Sequence, residues 1–134
     1  MQKRVVLLLF FLMLTQLCYS QISVILRVKA DEQNDTLGVN LVKEITKISY
    51  ESIRDGKVQL WDSPKKEVAI SFLALKEIEK SSGLNFTDQQ LIFVYEVWNN
   101  EKKKLTSETQ GFLFSSKLEN GEAVVFGYVE YESL

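Results

Sequence analysis

The groups in this chain that could do chemistry are its carboxylates and aromatic rings, because the 134-residue sequence contains no histidine. A Ser-His-Asp triad, a histidine-liganded zinc site and a haem with an axial histidine all need that residue. The one cysteine, Cys18, lies in an N-terminal segment that we expect to be removed, which excludes a cysteine nucleophile. Carboxylate pairs, Lys or Tyr bases and oxygen-ligated cations stay open. The composition favours a non-enzymatic protein without a cofactor or metal.

Glu96 is the carboxylate in the most unusual position. Alternation along Leu91–Trp98 places it on one face of a strand with Val94 and Trp98, among apolar side chains. A buried carboxyl could act there as a general acid, although an edge position or a lysine partner explains Glu96 equally well. Glycoside hydrolysis needs a second carboxylate opposite the first, and the sequence does not identify one. We therefore assign no catalytic residue.

A second candidate is a calcium loop. Asp31, Gln33 and Asp35 alternate as oxygen donors do at the start of such a loop. Thr36 stands where the turn glycine belongs, however, and Val42 stands where the bidentate glutamate belongs. The pattern favours a solvated loop, and no metal ligand is assigned.

Aromatic side chains are the candidate binding groups. They could form a stacking platform for sugar or peptide, although aromatic residues of a small domain belong to its core first. Trp61 precedes a proline-containing turn, which favours exposure of its ring. We take Trp61, Trp98 and Tyr128 as candidate contacts with a partner.

The first half of the chain carries two helix signals, each ended by a glycine. Apolar residues at three- and four-residue steps are typical of an amphipathic helix, and period-two alternation is typical of a strand. These patterns predict a strand Ile22–Val28, a helix Leu37–Ile53 closed by Gly56, a strand Lys57–Trp61, a turn at Pro64 and a helix from Ser71 to Gly83.

The second half is predicted to be strands. Leu91–Trp98 is rich in β-branched and aromatic residues and is interpreted as a central strand, followed by a polar loop from Asn99 to Gln110 that includes Lys102–Lys104. Asn120-Gly121 predicts a two-residue hairpin turn. The resulting register sets Leu118 against Ala123, Ser115 against Phe126 and Phe114 against Gly127.

Together these elements predict an α+β fold, in which an antiparallel sheet with a C-terminal three-stranded meander is packed on one side by two helices. The other face of the meander is mixed in character and could be partly covered by a helix. We expect residues 21–134 to form a single domain.

Residues 1–20 resemble a cleavable export signal. Lys3 and Arg4 precede the apolar run Val5–Leu14, which is too short to span a bilayer, and cleavage is expected between Ser20 and Gln21. Leu17 before Cys18 argues against lipidation. The cleaved protein is predicted to lie in the periplasm or outside the cell, where it could associate with the outer membrane. It is predicted to have no transmembrane anchor.

Charge limits the partners of this product. Of the 16 basic residues, two lie in the signal, which leaves 14 basic residues against 18 acidic ones. Nucleic acid is therefore not expected as a partner.

The segment Ile45–Glu67 resembles a pattern in the GldN/PorN family of gliding-motility and type IX secretion proteins. The resemblance lies in Ile53–Asp62, where a helix ends in a Gly56-Lys57 turn before a short strand, an aromatic residue and an aspartate. The signal ending in Tyr19-Ser20 is similar to those of exported proteins of the Bacteroidota. The resemblance implies a periplasmic, non-enzymatic component that associates with envelope partners.

Two functional hypotheses follow. The first is an exported, non-enzymatic α+β protein that acts through protein–protein contacts in the cell envelope. The alternative is a secreted or periplasmic binding or inhibitor module that recognises glycan or peptide through exposed aromatic side chains.

Overall fold

The computed structural model describes Lys3, residues 20–32 and residues 40–134. Within these ranges, six strands form one antiparallel sheet in the order β1-β4-β5-β6-β2-β3. The strands are β1 (Ser20–Lys29), β2 (Leu60–Trp61), β3 (Ala69–Ile70), β4 (Leu91–Glu101), β5 (Lys104–Lys117) and β6 (Ala123–Glu130). The helices are α1 (Leu41–Arg54) and α2 (Phe72–Ser82). The predicted α+β fold with a C-terminal meander is confirmed.

Ser71, Gly56 and Gly83 act at the helix ends as predicted, whereas the start of α1 was not predicted. There the Asn40 side chain accepts the Lys43 N–H, so α1 begins at Leu41, and Gly56, with φ +69°, follows its end. Ser71 accepts the Ala74 N–H at the start of α2, and Gly83 ends that helix in the left-handed conformation. Such caps pair backbone groups that the helix leaves free.

The polar loop predicted from Asn99 to Gln110 is wrong. These residues extend β4 and β5 into a long hairpin in which Glu101 pairs with Lys104. Lys102 and Lys103 form the turn, with φ angles of 49° and 62°. Positive φ at both central residues matches the twist of a two-residue hairpin. Lysine rarely adopts this conformation, so the turn could not be recognised from its residue types.

The predicted register at Asn120-Gly121 is wrong next to the turn and right further away. The loop has three residues, because the Leu118 N–H donates to the Glu122 carbonyl at 2.9 Å. Lys117 therefore pairs with Ala123, and a bulge beyond Ser115 restores the predicted pair of Phe114 and Gly127. The bulge also places Phe126 in the core instead of on the opposite face.

The core lies between the helices and one face of the sheet, here called the inner face. Its centre is Phe86, carried by a short 3₁₀ turn (Phe86–Asp88), whose ring lies 4.6 Å from that of Phe114 and 5.8 Å from that of Phe126. Tyr50 of α1 contacts Phe86 from the helix layer, with ring centroids 5.8 Å apart. Both helices contribute to this cluster, through Ile53 and Leu75 among others.

The predicted signal falls almost entirely outside the described residues, as do residues 33–39. The predicted cleavage site between Ser20 and Gln21 coincides with the beginning of β1. In the part of the chain that the structure describes, no helix has the length and apolar character needed to cross a membrane.

Candidate functional site

The face of the sheet opposite the helices carries a continuous row of large side chains. Residues directly paired in an antiparallel sheet point to the same side, so the register defines this outer face. One row crosses five strands and consists of Trp61, Tyr128, Leu113, Phe93 and Arg27. Alternate neighbours along the strands, which include Ile25, Tyr95 and Val125, lie on the same side.

The outer face is apolar without being buried. Ile25 is 56% exposed and Val125 is 45% exposed, while Phe93, Tyr95 and Leu113 are half-buried. Phe114 and Ile92, their neighbours on the inner face, are fully buried. The sequence left open a partial helix cover of this face; of the described residues, both helices, α1 and α2, contribute to the core on the inner side instead.

Tyr128 supports this face from within the sheet. Its ring lies across Gly111, where an added Cβ would overlap the tyrosine hydroxyl, and contacts Tyr95 edge to face at 5.6 Å. Only 4% of Tyr128 is exposed, and this burial raises the pKa of its hydroxyl, with a further contribution from the charge of Glu130. Tyr128 therefore positions the outer face and offers a partner little surface of its own.

Trp61 ends the row near the sheet edge and is half-buried. It pairs with Tyr128 across β2 and β6, and the neighbouring turn is held by an ion pair between Lys66 and Glu130. Of the three aromatic candidates, Trp61 and Tyr128 thus belong to one surface, and Trp98 lies on the inner side of β4.

A groove of about 540 Å³ opens at one end of the outer face. Leu84, Leu91 and Phe93 supply apolar walls, and Arg27 and Lys117 lie in the same lining with Asp88. A groove of this composition can hold an apolar side chain of a partner, and the two cations favour a carboxylate beside it.

Trp98 and Glu96 form a separate pair on the inner side of β4, in the part of the strand that leads to the β4–β5 turn. The indole N–H of Trp98 donates to Glu96 Oε2 at 2.9 Å, so this carboxylate is held by its neighbour on the strand. The residues paired with Glu96 across the strands are Val24 and Thr109. Glu96 is half-buried, and its carboxylate acts as the hydrogen-bond acceptor for the Trp98 indole.

A second cluster of carboxylates lies towards the C-terminus, and one of them, Glu130, pairs with Gly111 beside Tyr128 on the outer face. Glu108, Glu130 and Glu132 line a groove of about 400 Å³ near the C-terminus. In the described ranges, no group of three or more acidic residues has the geometry to hold a metal ion. Asp31 of the proposed calcium loop is exposed, while Gln33 and Asp35 lie outside those ranges.

Sequence reasoning missed Phe93, Leu113 and Val125 as surface residues. The available signal was that Phe93 and Tyr95 alternate with Ile92 and Val94, which makes both faces of β4 apolar. Such a strand is either buried on both faces or exposes one apolar face that a partner can cover. Only the position of the helices distinguishes these two cases.

Comparisons with protein-family models, with curated proteins and with solved structures found no match. The functional assignment therefore depends on the residues of this chain.

Proposed function

We propose that this protein is an exported, non-enzymatic component of the cell envelope that acts through protein–protein contacts, and that the outer face of its sheet is the contact surface. The observation that carries the proposal is the row from Trp61 to Phe93, which is apolar and, apart from the buried Tyr128, keeps part of each side chain in contact with solvent. Apolar surfaces of this kind are typical of interaction sites.

The residues also disfavour the main catalytic alternative. The chain contains no histidine, and Glu96 is bonded to Trp98 and paired with uncharged neighbours instead of facing a second carboxylate. A hydrolase that depends on paired carboxylates would need both groups across one substrate site.

The envelope location is supported by the signal predicted for residues 1–20. The resemblance of Ile45–Glu67 to the GldN/PorN family supports a role accessory to gliding motility or type IX secretion. Cell fractionation tests the location: the protein should appear in the periplasm, the outer membrane or the medium, and retention in the cytoplasm would contradict it.

A site-specific crosslink tests the contact surface in intact cells. A photoreactive phenylalanine analogue at Val125, on the outer face, should yield a discrete crosslinked product with another protein. The same analogue at Leu73, which is 74% exposed on α2, serves as the matched control and should yield none. Equal crosslinking from both positions would contradict the proposal.

One observation favours the alternative of glycan or peptide binding. Trp98 lies beside Glu96 and directly across from Ser107, so an aromatic ring and several hydrogen-bonding groups share one part of the sheet. The sequence holds two tryptophans, so Trp61→Phe and Trp98→Phe each leave one fluorescent reporter. Quenching by cell-wall fragments that disappears in Trp98→Phe and persists in Trp61→Phe would favour the alternative.

A further inference from the structure

The two edges of the sheet differ in how open they are to a further strand. β1 is ten residues long and pairs with β4 in an unbroken register from Ser20 to Lys29. In the described part of the chain, β4 is its one neighbouring strand. β3, at the other edge, has two residues and follows a turn that contains Pro64, Lys65 and Lys66.

Sheet edges are normally protected against pairing with other chains by short strands, prolines, bulges, charged side chains or a covering segment. In β1 the charged side chains, Arg27 and Lys29, are confined to its last three residues. β3 is protected by its length and its flanking residues. β1 contains no proline or glycine and no bulge, and three of its apolar side chains are exposed, namely Ile22 (61%), Ile25 and Leu26. This edge has the properties of a strand that accepts a partner strand.

The sequence of β1 is complementary to itself in the antiparallel direction. With Ile25 opposite Ile25 of a second copy, Val24 meets Leu26 and Ile22 meets Val28, so apolar side chains meet on the inner side. The same register sets the basic residues Arg27 and Lys29 opposite the uncharged Ser23 and Gln21. No like charges oppose each other, and the whole of Gln21–Lys29 overlaps.

We propose that β1 pairs antiparallel with β1 of a second copy of this chain, around a two-fold axis at Ile25. The two six-stranded sheets then become one continuous sheet with the helices of both copies on the same side. Because the β3 edge is protected, the contact uses the same surface on both copies and closes at a dimer instead of growing into a fibre. This contact uses the backbone edge of β1 and so differs from the outer-face contact proposed above, although Ile25 belongs to both surfaces.

Replacing Ile25 by a charged residue tests the proposal. This residue would lie opposite Ile25 of the second copy, and it is exposed enough in the monomer to be replaced. In sedimentation equilibrium, the purified wild-type protein should be a dimer that dissociates on dilution. Ile25→Lys and Ile25→Glu should each weaken the dimer by about tenfold or more, since like charges then oppose each other across the axis.

Mixing the two variants gives the decisive result. An equimolar mixture of Ile25→Lys and Ile25→Glu should recover the dimer, which also shows that both variants fold. Val68→Lys, an exposed position next to β3, is the control and should leave the wild-type dimer unchanged. A wild-type protein that stays monomeric, variants that dimerise as well as wild type, or a mixture that stays monomeric would each overturn the proposal.

Discussion

The two faces of the sheet are both apolar, yet they are used differently. On the inner face Ile92, Phe114 and Val129 are completely buried beneath the helices and the Phe86 ring. On the outer face Phe93 and Leu113, their neighbours along the same strands, keep part of their surface in contact with solvent. The helices and the Phe86 turn cover the inner face. The described residues leave the outer face partly exposed to solvent.

This difference predicts that the two faces respond differently to substitution. Removing buried carbon atoms reduces the free energy of unfolding, because the transfer of those atoms from water is lost and a cavity remains. Replacing an exposed apolar side chain usually changes stability by less than about 0.5 kcal/mol. Inner-face variants should therefore lose stability, and outer-face variants should lose partner contact at near-normal stability.

The largest effect is expected from Phe114→Ala. Its ring is fully buried and contacts Phe86, so the free energy of unfolding should fall by about 3–5 kcal/mol. Urea unfolding followed by circular dichroism measures the loss. Val125→Ala on the outer face is the control, and an equal loss in both variants would remove the distinction between the faces.

Gly111→Ala tests the one place where the outer face is packed as tightly as the core. A Cβ at residue 111 would overlap the Tyr128 ring and the Val129 carbonyl, so we expect a loss of about 1–3 kcal/mol in the same unfolding assay. Gly56→Ala is a useful contrast, because open space surrounds that position and only its positive φ opposes the change. A Gly111→Ala protein as stable as wild type would show that Tyr128 is free to move.

Glu79→Ala tests a polar contact beneath the inner face. Glu79 Oε1 accepts a hydrogen bond from the buried Phe86 N–H at 2.9 Å. Oε2 accepts one from the Lys76 ammonium, also at 2.9 Å. Alanine leaves that N–H unpaired, which should cost about 1–3 kcal/mol of unfolding free energy. Glu79→Gln keeps an acceptor for Phe86 and should cost less; equal losses would show that the ion pair with Lys76, which both variants remove, matters more than the Phe86 hydrogen bond.

The smallest effect is expected at alkaline pH. Burial raises the pKa of Tyr128 in the folded protein, so the unfolded chain releases this proton at lower pH than the folded chain does. The contribution of Tyr128 to the free energy of unfolding is complete below the pKa of about 10 that the residue has in the unfolded chain. It is lost as the pH rises through the higher pKa of the folded protein. Tyr128→Phe should make stability fall less steeply above pH 10 in urea unfolding, and a slope equal to that of the wild-type protein would contradict this prediction.

Features that depend on neighbouring residues were predictable from the sequence. Ser71, Gly56 and Gly83 mark the helix ends because capping and positive φ act within one turn of the chain. The hairpin turn at Lys102–Lys103 was missed because neither residue type favours its conformation. The bulge that turns Phe126 into the core depends on packing against Phe86, which lies far away in sequence.

The candidate surface was predictable only in part for the same reason. Trp61 and Tyr128 were identified as contact candidates by residue type, but the burial of Tyr128 depends on the glycine at position 111 of the neighbouring strand. The solvent access of Phe93 and Leu113 depends on which side the helices pack. Alternation along one strand describes two faces and does not determine which one is covered.

The most direct test compares partner recovery by Val125→Asp and Leu73→Asp proteins expressed in their own cells. Both replace an exposed apolar residue by a charged one, on the outer face and on α2 respectively, and urea unfolding would establish that both remain folded. We expect Val125→Asp to lose the envelope protein that is recovered with the wild-type protein, and Leu73→Asp to retain it. Full recovery by Val125→Asp would contradict the claim that the outer face is the contact surface.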